Sequence, residues 1–237
     1  MSEAYDPDNL LDRRTLGCTL ELEYSHLARR EQEILAARLD PRSGDVVSVG
    51  CGWHPGRHLF PAPAYRLTGV DIDGDRARSV VESGAADAGV VAAAGALPFS
   101  AASFDVILYR LVMHHVAYGG DLAPLFYEAA QLLRPGGALV AVEPGLWHPV
   151  GAALALANRL GAGTRIHGTP DDVPLSPRTL LAHARAAGLS PELFALTFSW
   201  RRLPPALQRS LWRLDALGER PAARNFGHTL MLLAHKR

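Results

Sequence analysis

Short apolar runs alternate with amphipathic stretches along most of this chain. The runs favour buried strands, and the segments between them carry apolar residues at helical spacing. Strands are predicted at 45–49, 65–73, 88–94, 103–110, 138–143, 191–200 and 226–236. Because most of these runs are apolar on both faces, they indicate a parallel sheet that is covered by helices on each side.

The amphipathic stretches predict the helices between these strands. They lie at 8–16, 26–39, 75–84, 122–134, 147–160, 177–188 and 204–218. Ser25 is predicted to cap the second helix, and Gly84 to close the third. The segment 161–177 is rich in Gly, Pro and Asp and predicts a loop.

Strands and helices in this order predict an α/β fold with a doubly wound sheet, since right-handed crossovers bring successive parallel strands together. The seven predicted strands belong to one domain over 1–237. Within it we distinguish an N-terminal helical cap at 1–43, a core at 44–144, and a segment at 145–237 that covers the substrate and adds the final strands.

Composition limits the classes of function. The chain has 237 residues and a formal net charge of zero, so it offers no electrostatic case for nucleic acid. Cys18 and Cys51 give no disulfide framework. No apolar run has the length of a membrane helix, and the acidic, polar N-terminus is unlike a signal peptide. The expectation is a cytoplasmic protein with a small-molecule partner, no membrane partner and no nucleic acid.

Two surface features leave alternatives open. Residues 151–237 carry 12 Lys+Arg against 5 Asp+Glu, which fits either a solvated arginine-rich face or an anionic substrate or partner. The last predicted helix carries a leucine stripe, which is most simply a buried face and alternatively a pocket lid or a homodimer contact. The stripe consists of Leu207, Leu211, Leu214 and Leu217.

Candidate chemistry begins where the first strand runs into Gly50-Cys51-Gly52. Glycines let the backbone approach a ligand closely, and backbone N–H groups near a helix start favour a carboxylate or phosphate. Asp71 ends the second strand, nineteen residues after Gly52, where it can accept hydrogen bonds from both hydroxyls of a ribose. Together these features predict an adenosine-type ligand. The third glycine of a dinucleotide fingerprint comes one residue late, at Gly56.

Four segments resemble, in order and spacing, the motifs of the class I S-adenosylmethionine-dependent methyltransferases, especially the small-molecule group. They read VVSVGCG at 46–52, LTGVDID at 67–73, ALPFSAASFDVILYRLVMHHV at 96–116 and LLRPGGALVAVEP at 132–144. The ending FGHTLMLLAHK at 226–236 is similar to the last strand of the family, which runs antiparallel to the others. The resemblance implies a Rossmann-like methyltransferase fold, S-adenosyl-L-methionine as cofactor, and methyl transfer to a small molecule.

The resemblance also implies which residues hold the cofactor. Glycines of the first motif would lie against the methionine part, Asp71 would bind the ribose, and Ile72 would pack on the adenine. Ala93 and Ala94 belong to the adenine-recognising segment. Tyr109 and Arg110 lie at the end of strand four, where the methyl group would emerge. The implied contacts are Gly50, Gly52, His54, Asp71, Ile72, Ala93, Ala94, Tyr109 and Arg110.

The chain departs from the family pattern at three positions. Ser48 and Ala93 stand where the family has acids, and His54 stands where it commonly has glycine. Prolines at 61 and 63 interrupt the helix that normally follows. Looser cofactor binding, a reshaped loop, and a retained fold without methyl transfer all remain open. In the reshaped loop, His54 and Arg57 are candidates to contact the cofactor carboxylate.

Methyl transfer needs a general base only if the acceptor must lose a proton. His114 and His115 follow strand four and are the candidate catalytic residues, although a histidine pair there can also shape the loop. His148, with Trp147, is a candidate for the substrate pocket, and Glu143 reads as a structural acid at a strand end. No metal site is predicted.

Two other functions compete with methyl transfer. One is a non-methylating relative that uses the same fold for binding or another reaction. The other is an NAD-type oxidoreductase, which Asp71 would suit equally well and the glycine spacing disfavours.

Overall fold

A computed structural model describes residues 17–161 and 173–237, with side chains from residue 23 onward. Its helices are α1 Gly17–Arg38, α2 Gly74–Glu82, α3 Met113–Gly119, α4 Ala123–Leu132, α5 Pro149–Arg159, α6 Pro177–Ala186 and α7 Pro205–Trp212, with a 3₁₀ helix at Asp215–Glu219. The helix predicted at 8–16 and most of the loop predicted at 161–177 lie outside the described residues. Within residues 17–161 and 173–237, no helix is both long enough and apolar enough to span a bilayer.

The seven predicted strands are all present in one sheet. They are β1 Gly44–Val49, β2 Tyr65–Asp71, β3 Ala88–Val91, β4 Phe104–Arg110, β5 Leu133–Pro144, β6 Leu189–Thr197 and β7 Thr229–Lys236. The order is β3-β2-β1-β4-β5-β7-β6, and only β7 runs antiparallel to its neighbours. The expected α/β class, the doubly wound sheet and the antiparallel last strand are confirmed.

Helices cover both faces of the sheet, because successive strand residues point to opposite sides. In β4, Ile107 and Tyr109 belong to the apolar layer beneath α4 and α6, while Val106 and Leu108 belong to the layer beneath α1 and α2. All four of these side chains are fully buried. The apolar runs in the sequence are therefore those of strands that pack on both faces.

Several boundaries differ from the sequence prediction. Helix α1 begins at Gly17, so Ser25 lies inside the helix and does not cap it. Strand β5 begins at Leu133, five residues before the predicted start at 138, and it includes Gly136 and Gly137. A register shift against β4 accommodates this start, and a Cβ at Gly137 would come within 2.8 Å of the Asp105 carbonyl oxygen. Glycine at this position lets the two strands approach.

The predicted helix at 204–218 is two separate elements, and the expectation that its leucine stripe is buried is wrong. Leu207 and Leu214 are 47% and 46% exposed, whereas Gln208 and Asp215 are buried. Gln208 Nε2 donates to backbone carbonyls of the loop after β6, and Asp215 accepts from the Phe198 N–H and from His26. The polar side chains are buried because this loop needs hydrogen-bond partners. A lid or homodimer contact stays a prediction.

Candidate functional site

The candidate site lies along the carboxyl ends of β1, β2 and β4. The chain runs from β1 outward through β2 and β3, and then returns to the other side of β1 with β4. Ligands bind at such a switch point in open α/β sheets, because the loops on its two sides diverge. The loops that carry Gly50, Asp71 and His114 all leave the sheet at this edge.

The first loop approaches its neighbours through glycine. Gly50 and Gly52 both have positive φ, at +63° and +50°. A Cβ at Gly50 would come within 2.6 Å of the Val112 side chain, whereas a Cβ at Gly52 would meet nothing within 4 Å. Gly50 therefore packs this loop against the loop after β4, and Gly52 presents open space to a ligand.

Asp71 joins the first two loops. Its carboxylate is buried and accepts from the Gly52 N–H at 2.9 Å and from the Asp73 N–H at 3.0 Å. A carboxylate has about four acceptor positions, so each Asp71 oxygen keeps capacity for a further donor. The next residue, Ile72, is 75% exposed, and Val91 at the end of β3 is 61% exposed. The arrangement combines a buried anion with an adjacent open apolar surface.

Glu128 organises the loop after β3, and the sequence analysis missed it. This α4 residue accepts from the Gly95 N–H at 2.9 Å and from the Leu97 N–H at 2.6 Å. The loop contains the predicted positions Ala93, which is exposed, and Ala94, which is half-buried. An isolated acid in an amphipathic helix gives no sign of its partners when they lie more than thirty residues away.

Tyr109 and Arg110 do not lie open at the sheet edge. Tyr109 is fully buried, and burial raises the pKa of its hydroxyl well above the usual value. Arg110 Nε binds the two carboxylate oxygens of Glu31 at 3.1 and 3.2 Å, which attaches α1 to the end of β4. The sequence analysis did not identify Glu31, and a direct contact of Tyr109 or Arg110 with a cofactor stays a prediction.

Replacing Tyr109 with phenylalanine is expected to leave the protein as stable as the parent, or more stable by about 1 kcal/mol. The Tyr109 hydroxyl is buried and has no hydrogen-bond partner among the described residues, so the substitution removes a polar group that has lost its hydration. Urea unfolding of both proteins measures the difference. A loss of several kcal/mol would show that this hydroxyl has a partner.

Arg57, in the loop after Gly52, binds neighbouring parts of the fold. The guanidinium donates to the backbone carbonyls of Ala85 and Tyr65 and pairs with Asp87 at 2.7 Å. The hydrogen bond from Arg57 holds the pKa of Asp87 below its usual value. These bonds hold Arg57 within its own part of the fold, and a contact with a cofactor carboxylate stays a prediction. His54 is exposed, and its contact with the cofactor carboxylate remains a prediction.

Metal binding finds no support near this loop. Burial raises the pKa of the Cys51 thiol to about 12, so the thiol stays protonated at neutral pH. His58 lies 3.5 Å from Glu31 and is directed towards α1. In the described part of the chain, no group of three or more His, Cys, Asp or Glu side chains could hold a metal ion.

Glu143 holds the start of α3 and the ring of His114. Its carboxylate is fully buried at the end of β5 and accepts from the N–H groups of Val112 and Met113 at 3.0 and 2.8 Å. It also contacts His114 Nδ1 at 2.6 Å. A carboxylate oxygen accepts, so Nδ1 is the ring nitrogen that donates to it. The exposed ring of His115 lies 4.0 Å from the ring of His114.

Aromatic and imidazole side chains meet beyond the ends of β5 and β6. His148 caps α5 through Nδ1, and burial lowers its pKa, so this ring is neutral at neutral pH. The His148 and His228 rings are 5.3 Å apart, and the Trp147 and Phe226 rings are 5.9 Å apart. The sequence predicted Trp147 and His148 here but missed Phe226 and His228, which antiparallel pairing of β7 with β5 brings alongside.

The central part of the chain is similar to a known protein family. A family profile described as "Methyltransferase domain" matches residues 47–141. An uncharacterized 37.1 kDa protein in transposon TN4556 of Streptomyces fradiae is 32% identical over 133 residues. That match covers 52% of this chain and 37% of the relative's length.

Solved structures share the fold over nearly the whole chain. A SAM-dependent methyltransferase of Thermotoga maritima superposes with a TM-score of 0.63 at 16% identity, covering 91% of this chain and 92% of that one. The geranyl diphosphate C-methyltransferase of Streptomyces coelicolor A3(2), solved with Mg²⁺, geranyl diphosphate and S-adenosyl-L-homocysteine, has a TM-score of 0.60 at 18% identity. The alignment covers 100% of this chain and 88% of that one. At these identities the likeness concerns the fold.

Proposed function

We propose that the chain is a class I S-adenosylmethionine-dependent methyltransferase, which transfers a methyl group from S-adenosyl-L-methionine to a small-molecule acceptor. The observation that carries the proposal is the hydrogen bond between the Gly52 N–H and Asp71. It joins a glycine loop with open space to a buried carboxylate that has acceptor capacity left. These are the two features that a ligand with a ribose and an amino-acid end requires.

The residues present fit the cofactor part by part. Asp71 accepts from the ribose hydroxyls, and Ile72 provides the exposed apolar surface for the adenine. Ala93 and Ala94 border the adenine from the loop that Glu128 holds. Gly52 leaves room for the methionine part, where His54 is the candidate partner for the carboxylate, and Gly50 packs the same loop against Val112. The cofactor supplies an activated methyl group on a sulfonium, so the protein mainly provides position and a dry pocket.

His114 and His115 serve the acceptor. Glu143 orients the ring of His114, which is a candidate to take a proton from the acceptor nucleophile. His115 is exposed beside it and is the candidate for direct contact with the acceptor. The buried carboxylate of Glu143 and the imidazoles of His114 and His115 together make this edge of the sheet the candidate place for proton transfer.

A dinucleotide is a poorer fit for the same loop. There is no room for a side chain at Gly56, because a Cβ there would come within 2.7 Å of the Leu108 side chain. Gly56 therefore serves packing of the loop onto β4. In the dinucleotide fingerprint the third glycine instead allows close packing of a helix on the strand, and no helix follows here between residues 54 and 64.

Calorimetric titration with S-adenosylmethionine, S-adenosylhomocysteine and NAD tests the proposal. We expect both sulfur compounds to bind and NAD to show no heat of binding. Tight binding of NAD alone would overturn the proposal. Binding of S-adenosylmethionine without methyl transfer to a broad panel of acceptors would favour the non-methylating relative.

A further inference from the structure

Three side chains from separate segments meet on the far side of β5 from the cofactor loops. Trp147 follows β5, Arg178 lies in the first turn of α6, and Phe226 precedes β7. Arg178 Cζ is 5.0 Å from the centre of the Trp147 ring, and the Trp147 and Phe226 rings are 5.9 Å apart. We call these residues the Trp147 cluster. Trp147 is half-buried and Phe226 is 48% exposed, so the cluster presents a flat apolar surface beside a guanidinium.

Packing and helix stability do not explain the position of Arg178. It is exposed, and none of the carboxylates that the structure describes pairs with it. It lies in the first turn of α6, where a positive charge opposes the helix macrodipole and where no acidic residue compensates. A guanidinium held over an indole ring keeps its N–H groups directed outward and binds carboxylate or phosphate in a bidentate manner.

The turn before β7 provides a second, independent observation. Arg224 Nε and Asn225 Oδ1 are buried and have no hydrogen-bond partner within the described ranges. They are the two residues that come before Phe226 in the chain. Buried polar atoms without partners are uncommon and point to a group that binds there.

The Trp147 cluster and the proposed base both follow strands that end at the same edge of the sheet. Trp147 follows four residues after Glu143, which holds His114, and the Gly145 N–H donates to the His228 carbonyl at 2.8 Å. The cofactor loops leave β1 and β2, while the cluster lies beyond β5 and β7. The cofactor loops and the cluster therefore lie on opposite sides of β4 along the sheet.

We infer that the acceptor carries an anionic group, a carboxylate or a phosphate, next to a flat unsaturated body. Arg178 binds the anion, and Trp147 and Phe226 pack against the flat body. The inference rests on the proposed function, because it identifies the cluster as the acceptor side of a methyltransferase. It also gives the arginine-rich C-terminal third a role in substrate selection.

The test uses the full chain saturated with S-adenosylhomocysteine, titrated with two matched pairs of compounds. Benzoate is compared with benzamide, and phenyl phosphate with phenol. We expect the charged member of at least one pair to bind about tenfold more tightly, from charge-assisted hydrogen bonds. The pair with the larger ratio distinguishes a carboxylate site from a phosphate site. Replacing Arg178 with glutamine removes the preference, whereas Arg185→Gln, an exposed position at the other end of α6, retains it.

Equal affinity for the charged and neutral members of both pairs would overturn the inference. A preference that survives in Arg178→Gln would overturn it as well. If S-adenosylhomocysteine itself fails to bind, the proposed function fails at that step. The same four titrations on the ligand-free chain then still decide whether the Trp147 cluster binds anions.

Discussion

Replacing Asp71 with alanine is expected to weaken binding of S-adenosylhomocysteine at least about tenfold, because charge-assisted hydrogen bonds to the ribose are worth about 1.5–3 kcal/mol. The substitution also removes the acceptor for the Gly52 and Asp73 N–H groups. Both loops then lose the group that sets their separation. Stability should therefore fall together with affinity, and calorimetric titration must be accompanied by urea unfolding.

Asp73 is the matched control for this loss of stability. Its side chain is 42% exposed and caps α2 by accepting from the Asp75 N–H at 2.9 Å. Asp73→Ala should cost about 1 kcal/mol of stability through loss of the cap and leave affinity unchanged. If the folded Asp71→Ala protein retains the affinity of the parent, the ribose does not bind at Asp71.

The sheet is predictable from sequence because its strands are buried on both faces. Runs made almost entirely of apolar residues, such as VVSV and VILY, show no alternation of apolar and polar positions that would suit an open antiparallel sheet. Turn residues separate these runs clearly. Helix boundaries are less predictable where a tertiary contact decides them. The first turns of α1 carry no strong apolar stripe, and buried polar residues such as Glu23 and His26 bind the loop after β6 and α7 instead.

The glycine loop and Asp71 are predictable because their spacing is local and repeats a known pattern. The supporting contacts are not, since each joins residues far apart in the chain. Arg110 and Glu31 are 79 positions apart, and Gly95 and Glu128 are 33 apart. In the sequence, such residues look like ordinary surface charges. Arg57 shows the same difficulty from the other side. Its place near the cofactor loop suggested a ligand contact, and its partners in the structure are distant backbone carbonyls and Asp87.

Replacing Glu143 with alanine is expected to lower the free energy of unfolding by about 3–5 kcal/mol, which is typical when one partner of a buried pair is removed. The N–H groups of Val112 and Met113 and the His114 ring all lose their acceptor in a fully buried position. Glu192→Ala is the control. Glu192 is 48% exposed in a surface pair with Arg38, so its loss should change stability by less than about 1 kcal/mol. Similar values for the two variants would contradict the central role of Glu143.

Glu143→Gln separates the structural role of this residue from its effect on His114. Glutamine keeps the size of the side chain but offers one acceptor oxygen in place of two, so it cannot serve both the α3 N–H groups and His114 Nδ1. Because the α3 start provides several donors, we expect the oxygen to remain there and the His114 ring to lose its fixed tautomer. ¹⁵N chemical shifts of the His114 ring should then move from a protonated Nδ1 towards a mixture of tautomers. Unchanged shifts in the folded variant would show that Glu143 does not set the tautomer, and His114 would then lose its place as the oriented base.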